Sequence, residues 1–331
     1  MAEFRDIIGQ EQLKEHLQGA IERNKVSHAY IINGERNSGK EFIAKVFAMA
    51  LECTDRKNGE PCQVCHSCKQ ALSGNHPDII FVSHEKPNVI GVDDIRNQIN
   101  GDVAIKPYSS PKKIYIMNEG EKMTVQAQNA LLKTIEEPPA YGIIILLTTN
   151  ADTFLQTILS RCVRLDFRPL RDTLVTQYLQ EKYDLTDYEC RFATAFAQGK
   201  IGRAVTIATS KEFAQLKEEV MHVIRYAKEM TTAEIMAEVK NIANYKLTID
   251  DYLDLMAMWY RDVLVFKSTK DSNALIFKDE MSLLAEQAKN CSYEGLEDIL
   301  KSIDKVKLRL KANVNFDLVI ELLIMAIKEA M

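Results

Sequence analysis

Gly34-Glu35-Arg36-Asn37-Ser38-Gly39-Lys40-Glu41 decides the fold. The apolar run Ala29-Tyr30-Ile31-Ile32 precedes it. An amphipathic run follows, with Phe42, Ile43, Val46, Phe47 and Ala50 on one face. Strand, glycine loop and helix in that order are the context of a phosphate-binding P-loop. The loop fits G-x-x-x-x-G-K, which makes Gly34, Gly39 and Lys40 candidate nucleotide contacts. The next residue should be Ser or Thr, whose hydroxyl holds Mg2+. Here it is Glu41, a carboxylate set beside the phosphates. The competing reading is a glycine-rich turn that takes no nucleotide.

Working outward, Glu11 to Arg23 carries a helical stripe, and His28 precedes the first strand as a strand-edge residue, with a nucleotide or partner contact as the alternative. Asp78 to Val82, Lys112 to Met117, Gly142 to Leu147 and Val163 to Phe167 read as strands. Val92 to Ile99 and Val125 to Glu137 read as helices, the second capped by Thr124 and stopped by Pro138-Pro139. The run Gly142 to Leu147 is continuously apolar, as in a parallel sheet covered on both faces. The strand Lys112 to Met117 ends in Asn118-Glu119. An NTPase has Asp-Glu there, the Asp supporting Mg2+ and the Glu polarising water. Both metal-holding positions, Glu41 and Asn118, are therefore altered. Glu121 reads as solvated surface, and Asp152 to Ser160 as one short helix before Arg161.

Cys53, Cys62, Cys65 and Cys68 fall within sixteen positions, Cys53 at the end of the P-loop helix and the other three after a polar loop at residues 55–61. Four thiols so spaced can surround a tetrahedral zinc ion. Metal-free cysteines and an iron–sulfur cluster are the alternatives. Zinc is preferred because nothing else suggests electron transfer. With four thiolates it has no open position, so its role is structural.

At 331 residues the chain should hold two or three domains. Its net charge of −5 argues against a strongly basic nucleic-acid binder. No run is long enough to span a membrane, no signal-peptide core opens the chain, and the cytoplasm is the expected compartment. Beyond Pro169 the alternation of strand and helix ceases. Residues 211–330 carry only helical stripes, as in a bundle core. Trp259 and Tyr260 sit in one stripe, where an interface-anchor role competes with plain packing.

Three further features carry a resemblance. They are the cysteine module inserted after the P-loop helix, the run Asn129-Ala130-Leu131-Leu132-Lys133-Thr134-Ile135-Glu136-Glu137-Pro138-Pro139, and Thr157-Ile158-Leu159-Ser160-Arg161-Cys162. With them the chain resembles, over nearly its whole length, the delta-prime family of bacterial DNA polymerase III clamp-loader subunits, of the AAA+ class. The resemblance implies a multi-domain α/β plus all-α chain. Residues 1–166 would be a RecA-like AAA+ domain with the zinc module at 53–68. Residues 167–208 would be a small helical lid, and 209–331 a helical collar joining subunits in a ring.

It also implies a stator that is not itself catalytic but belongs to the DNA polymerase III holoenzyme. Arg161 would act in trans on a neighbour's ATP, and Arg203 would stand where active relatives sense the γ-phosphate. Structural Zn2+ is expected, and ATP binding weak or absent. The implied partners are the tau/gamma ATPase subunits and the delta subunit, with the sliding clamp and primed DNA reached through the complex. The alternative is a self-contained AAA+ ATPase, such as the ATPase subunit of the same complex. Gln156 replaces a proline usual in the family, which puts the turn that aims Arg161 in question.

Overall fold

The computed structural model describes residues 3–84 and 86–331. It divides into two compact units, one made of residues up to 178 with 198–203, the other of 179–197 and 204–331.

The first unit is built on five parallel strands: β1 (Ala29–Asn33), β2 (Ile79–Val82), β3 (Lys113–Met117), β4 (Gly142–Thr148) and β5 (Val163–Asp166), in the order β2-β3-β4-β1-β5. Every residue of β3 and β4 is buried, the apolar runs Ile114–Met117 and Gly142–Leu147 as a covered parallel sheet requires, and with them the polar Lys113, paired with Asp102 at 2.8 Å, and Thr148, bonded to Glu121. Helices α1 (Glu11–Glu22) and α2 (Lys40–Glu52) lie in the unit's sequence order around β1. Leu17, Ile43, Val46 and Phe47 share a core with Tyr30 and Ile32. The other strand-facing core joins Ile31, Tyr115 and Met117 to α4 (Val92–Ile95, running on to Asn100) and α5 (Val125–Glu136). The short α3 (His66–Leu72) lies in the cysteine module.

Thr124 caps α5 as expected, its hydroxyl accepting from Ala127 N at 3.1 Å. The single helix expected at 152–160 is instead a 3-10 turn, Ala151–Thr153, and a separate α6, Gln156–Leu159, with Phe154 and Leu155 extended between them. Buried Gln128 of α5 forces the break. Its amide donates to Thr153 O at 3.1 Å, and its carbonyl accepts from Leu155 N at 2.8 Å.

The chain continues through α7 (Asp172–Lys182), α8 (Asp187–Ala197), α9 (Ile201–Thr209), α10 (Lys211–Tyr226), α11 (Thr232–Ile242), α12 (Ile249–Thr269), α13 (Met281–Asn290), α14 (Tyr293–Lys311) and α15 (Phe316–Ala330). In the second unit Ser210, Thr231, Ser292 and Asn315 each start a helix by accepting a backbone N–H. Trp259 and Tyr260 are fully buried, so they are core and not exposed anchors. The Trp259 indole donates to Gln287 Oε1 at 2.8 Å, and Gln287 Nε2 donates to Ile224 O at 2.9 Å. Among the described residues no helix is long and apolar enough to cross a membrane.

Candidate functional site

The loop after β1 has the P-loop shape. Gly39 sits at φ 100°, a conformation that favours glycine, at the start of α2. Gly34 packs so tightly that an added Cβ would lie 2.6 Å from Phe167 Cβ. A cleft of about 470 Å³ opens here, lined by residues 36–41 and by Asn118, Glu119, Glu121, Leu147, Thr148, Thr149 and Gly202. It lies at the carboxyl ends of the strands, where open α/β sheets place ligands.

The side chains in the cleft bond one another and their own loop. Lys40 Nζ bonds the carbonyls of its own loop, Gly34 O and, at 2.8 Å, Glu35 O. Burial pulls its pKa down, against the attraction of the Glu121 carboxylate. Glu41 Oε1 pairs with Lys45 at 2.5 Å, while its Oε2 accepts from Asn118 Nδ2 at 3.5 Å. The two altered positions thus bond each other. Glu119 pairs with two cations, Lys122 Nζ at 2.6 Å and Arg36 Nη2 at 3.2 Å, and lies 3.3 Å from His84 Nε2. The Lys122 bond leads in holding its pKa low.

Glu121 is not solvated surface. Its carboxylate accepts from Thr148 Oγ1 at 3.0 Å, Thr149 N at 3.1 Å and Thr149 Oγ1 at 2.8 Å. Burial works against its charge, but its own backbone N–H and these Thr148 and Thr149 donors outweigh it, leaving the pKa low. The cause is the backbone at Glu119, at φ 55°, which turns the following 3-10 segment, Gly120–Lys122, back toward β4. Two cross-links that the sequence did not suggest close the loop. Lys200 pairs with Glu35, and Gly202 N donates to Asn37 O at 2.9 Å. Arg203 follows Gly202 in α9 and is half-buried.

At the other end of α2 the cysteines converge. The Sγ atoms of Cys53, Cys62, Cys65 and Cys68 all lie within 4.8 Å of one another. A tetrahedron with Zn–S of about 2.3 Å spaces sulfurs about 3.8 Å apart, so the cluster can bind a structural Zn2+. The loop at 55–61 is a tight turn. Asn58 and Gly59 have φ 51° and 73°, and Lys57 and Glu60 exchange backbone bonds. Glu60 pins the turn, accepting from Phe4 N at 2.8 Å and Gln18 Nε2 at 3.0 Å. Backbone donors point at sulfur: Cys62 N at Cys53, Cys65 N at Cys62 and Cys68 N at Cys65, at 3.2, 3.3 and 3.4 Å. Such donors favour thiolate, the form that binds metal. Burial works against the thiolate across the cluster and raises the Cys53 and Cys68 thiols, whereas at Cys65 the Cys68 and Thr54 donors outweigh it and bring the pKa down to about 6.

Arg161 follows α6 and is 39% exposed on its side chain. Its Nη1 donates to Thr157 O at 3.0 Å and Ser160 Oγ at 3.3 Å, and its Nη2 pairs with Glu136 Oε1 at 3.0 Å. Ser160 N still bonds Gln156 O, so the turn forms without the proline. Burial pushes the Cys162 thiol up to about 12.

Residues 9–171 match the family described as DNA polymerase III, delta subunit, and residues 211–329 match that of the subunit's C-terminal region. Subunit delta-prime of DNA polymerase III from Bacillus subtilis is 28% identical over 317 residues, 95% of this chain and 94% of that protein. Subunit tau from the same organism is 29% identical over 330 residues, covering 92% of this chain but only 58% of tau. Among solved structures, a DNA polymerase III gamma-subunit-related protein from Thermotoga maritima is similar in fold, with a TM-score of 0.50 at 22% identity, over 96% of this chain and 98% of that one.

Proposed function

The chain belongs to the delta/delta-prime-like family of bacterial DNA polymerase III clamp-loader subunits, in the AAA+ superfamily, and we propose that it serves there as the delta-prime-like stator. In this reading it does not hydrolyse ATP. It assembles with tau/gamma ATPase subunits and the delta subunit, and it supplies Arg161 across an interface during loading of the sliding clamp on primed DNA. Charge builds on the transferred phosphoryl group, and a guanidinium from the neighbour stabilises it. The proposed division is an AAA+ domain at 1–166, a lid at 167–208 and a collar at 209–331. Exposed Leu308, Leu318 and Leu322 on α14 and α15 support an assembly role for the last. Arg203, without magnesium ligands nearby, serves lid packing.

One observation carries the reading. Glu41 and Asn118 bond each other where a magnesium ligand pair would stand, while Arg161 remains exposed and charged. The test is reconstitution with Arg161→Ala. Folding and assembly should survive, read by gel filtration. Hydrolysis at the one site served should fall by roughly 10^3–10^5-fold, with a smaller drop in the total and in clamp loading. Arg161→Lys should rescue poorly, since an ammonium lacks the planar fork. Wild-type rates in an assembled Arg161→Ala complex would sink the trans-acting role. The similarity to tau supports a competing reading as a self-contained ATPase. Saturable hydrolysis by the isolated chain, lost on Lys40→Ala, would establish that instead.

A further inference from the structure

Arg161 is held by a carboxylate from a different part of the chain, Glu136, the last residue of α5. We propose that Glu136 is a positioning residue for Arg161, setting the guanidinium so that it meets the neighbour's phosphate already oriented. The proposal rests on the trans-acting reading of Arg161.

A guanidinium has five N–H donors in one plane. Among the described residues two are occupied, both on Nη1, by Thr157 O and Ser160 Oγ, while Nη2 is ion-paired with Glu136 at 3.0 Å. Nε–H and the Nη2 hydrogens are the donors left for an anionic oxygen. The Thr157 and Ser160 contacts are local to the turn, so alone they let the plane swing with it. Glu136 ties the plane to α5.

The same helix also anchors the turn. Gln128 lies two turns before Glu136 and clasps Thr153 O and Leu155 N, just ahead of α6. One rigid element therefore fixes both the backbone leading to Arg161 and the side chain's plane. Glu136 is 46% exposed on its side chain. Its pairing is therefore weak enough to adjust when a phosphate arrives. It orders a long side chain beforehand without burying the charge.

The experiment uses assembled loader complexes whose other ATP sites are silenced by substituting their own trans arginines. Hydrolysis then reads the site served by Arg161. Glu136→Gln should lower kcat by roughly 2- to 5-fold, the range an exposed pair can supply, with KM, assembly and thermal stability unchanged. Glu136→Asp should recover part of the loss. Glu136→Gln combined with Arg161→Ala should be no slower than Arg161→Ala alone. In the 15N spectrum of the isolated chain, the Arg161 guanidinium signal should lose its ordering in Glu136→Gln. If Arg161→Ala itself changes nothing, the trans-acting reading fails. If Arg161→Ala slows the site while Glu136→Gln and Glu136→Ala do not, the positioning role is overturned. A loss that persists undiminished in the Arg161→Ala background, or a loss of assembly, makes Glu136 merely structural and overturns it equally.

Discussion

The cysteine knuckle and the phosphate-loop cleft are built at opposite ends of one helix. Lys40 opens α2 and Cys53 caps its far end. In the knuckle the backbone and the side chains agree. Three N–H groups point at sulfurs that already lie within 4.8 Å of one another. In the cleft they disagree. The backbone keeps the P-loop course, with Gly39 left-handed and Gly34 pressed under Phe167. Yet Lys40 is folded onto its own loop, and Glu41 meets Asn118 where a metal would bind. The loop's shape is therefore held by packing and by links such as Gly202 to Asn37. A P-loop scaffold can stand without the ligand that shaped it, whereas a small four-thiol knuckle draws its folding energy from the metal.

The largest expected effect tests the knuckle. Wild-type protein purified without added metal should carry one zinc per chain by elemental analysis. Cys68→Ser should abolish tight binding and unfold the segment around α3, with a drop in melting temperature of many degrees. Structural zinc contributes roughly 10–16 kcal/mol in isolated finger peptides, and a knuckle set in a larger core should show part of that. Iron with sulfide, or no metal in the wild type, would erase the contrast between the two ends of α2.

The next effect is at the cleft. The isolated chain should hydrolyse ATP only at background, and Lys40→Ala should change nothing. Glu41→Thr together with Asn118→Asp replaces a bonded pair with the two missing magnesium ligands. It should raise magnesium-dependent nucleotide affinity at least about tenfold, or ~1.4 kcal/mol, by calorimetry. An unchanged affinity would mean that the Lys40 and Lys200 contacts, and not the metal positions, close the site.

Four of the strands were legible because apolar runs of four to six residues leave little alternative, the fifth from its alternation Val163-Arg164-Leu165-Asp166, and the P-loop because its glycines and lysine are a fixed pattern. The knuckle was legible from spacing alone. Glu121 was not. A carboxylate four residues past a strand normally faces water, and nothing in its neighbours announces the left-handed turn at Glu119 that sends it inward. The break at Phe154-Leu155 was hidden for a similar reason. It depends on Gln128, a polar residue of α5 whose burial is a tertiary fact. The pairing of Arg161 with Glu136 was out of reach because it joins residues 25 apart through the packing of α5 and α6.

A smaller effect sharpens the electrostatic side. Glu121 has its pKa held low in the fold by the donors that outweigh its burial. Its stabilising contribution is complete above the ordinary carboxylate value near 4.3 and is lost as pH falls through the lower folded value. Hydrogen bonds to a partly exposed charge suggest about 1 kcal/mol. Glu121→Gln should therefore be less stable than wild type by about that much at neutral pH, with the gap closing on acidification. A gap that is constant with pH, measured by denaturant unfolding, would mean that the carboxylate's charge is irrelevant to the cleft.

The smallest effect concerns whether the turn before Arg161 behaves like the cleft, with geometry held by backbone and packing. Gln156 is the first residue of α6, where a backbone N–H has no helical acceptor in any case. Its N–H has no partner among the described residues. Leu155 before it sits at φ −59° and ψ 144°, the extended region a following proline demands. Proline at 156 should thus fit without moving Arg161 and should cost nothing in the fold, while narrowing the unfolded ensemble. The expected gain for Gln156→Pro is about 0.5 kcal/mol, a rise of a degree or two in melting temperature. Trans-acting ATP hydrolysis should be unchanged. A destabilised variant, or one that assembles but loses the Arg161-dependent rate, would show that the Gln156 side chain helps to shape the corner and that backbone alone does not hold it.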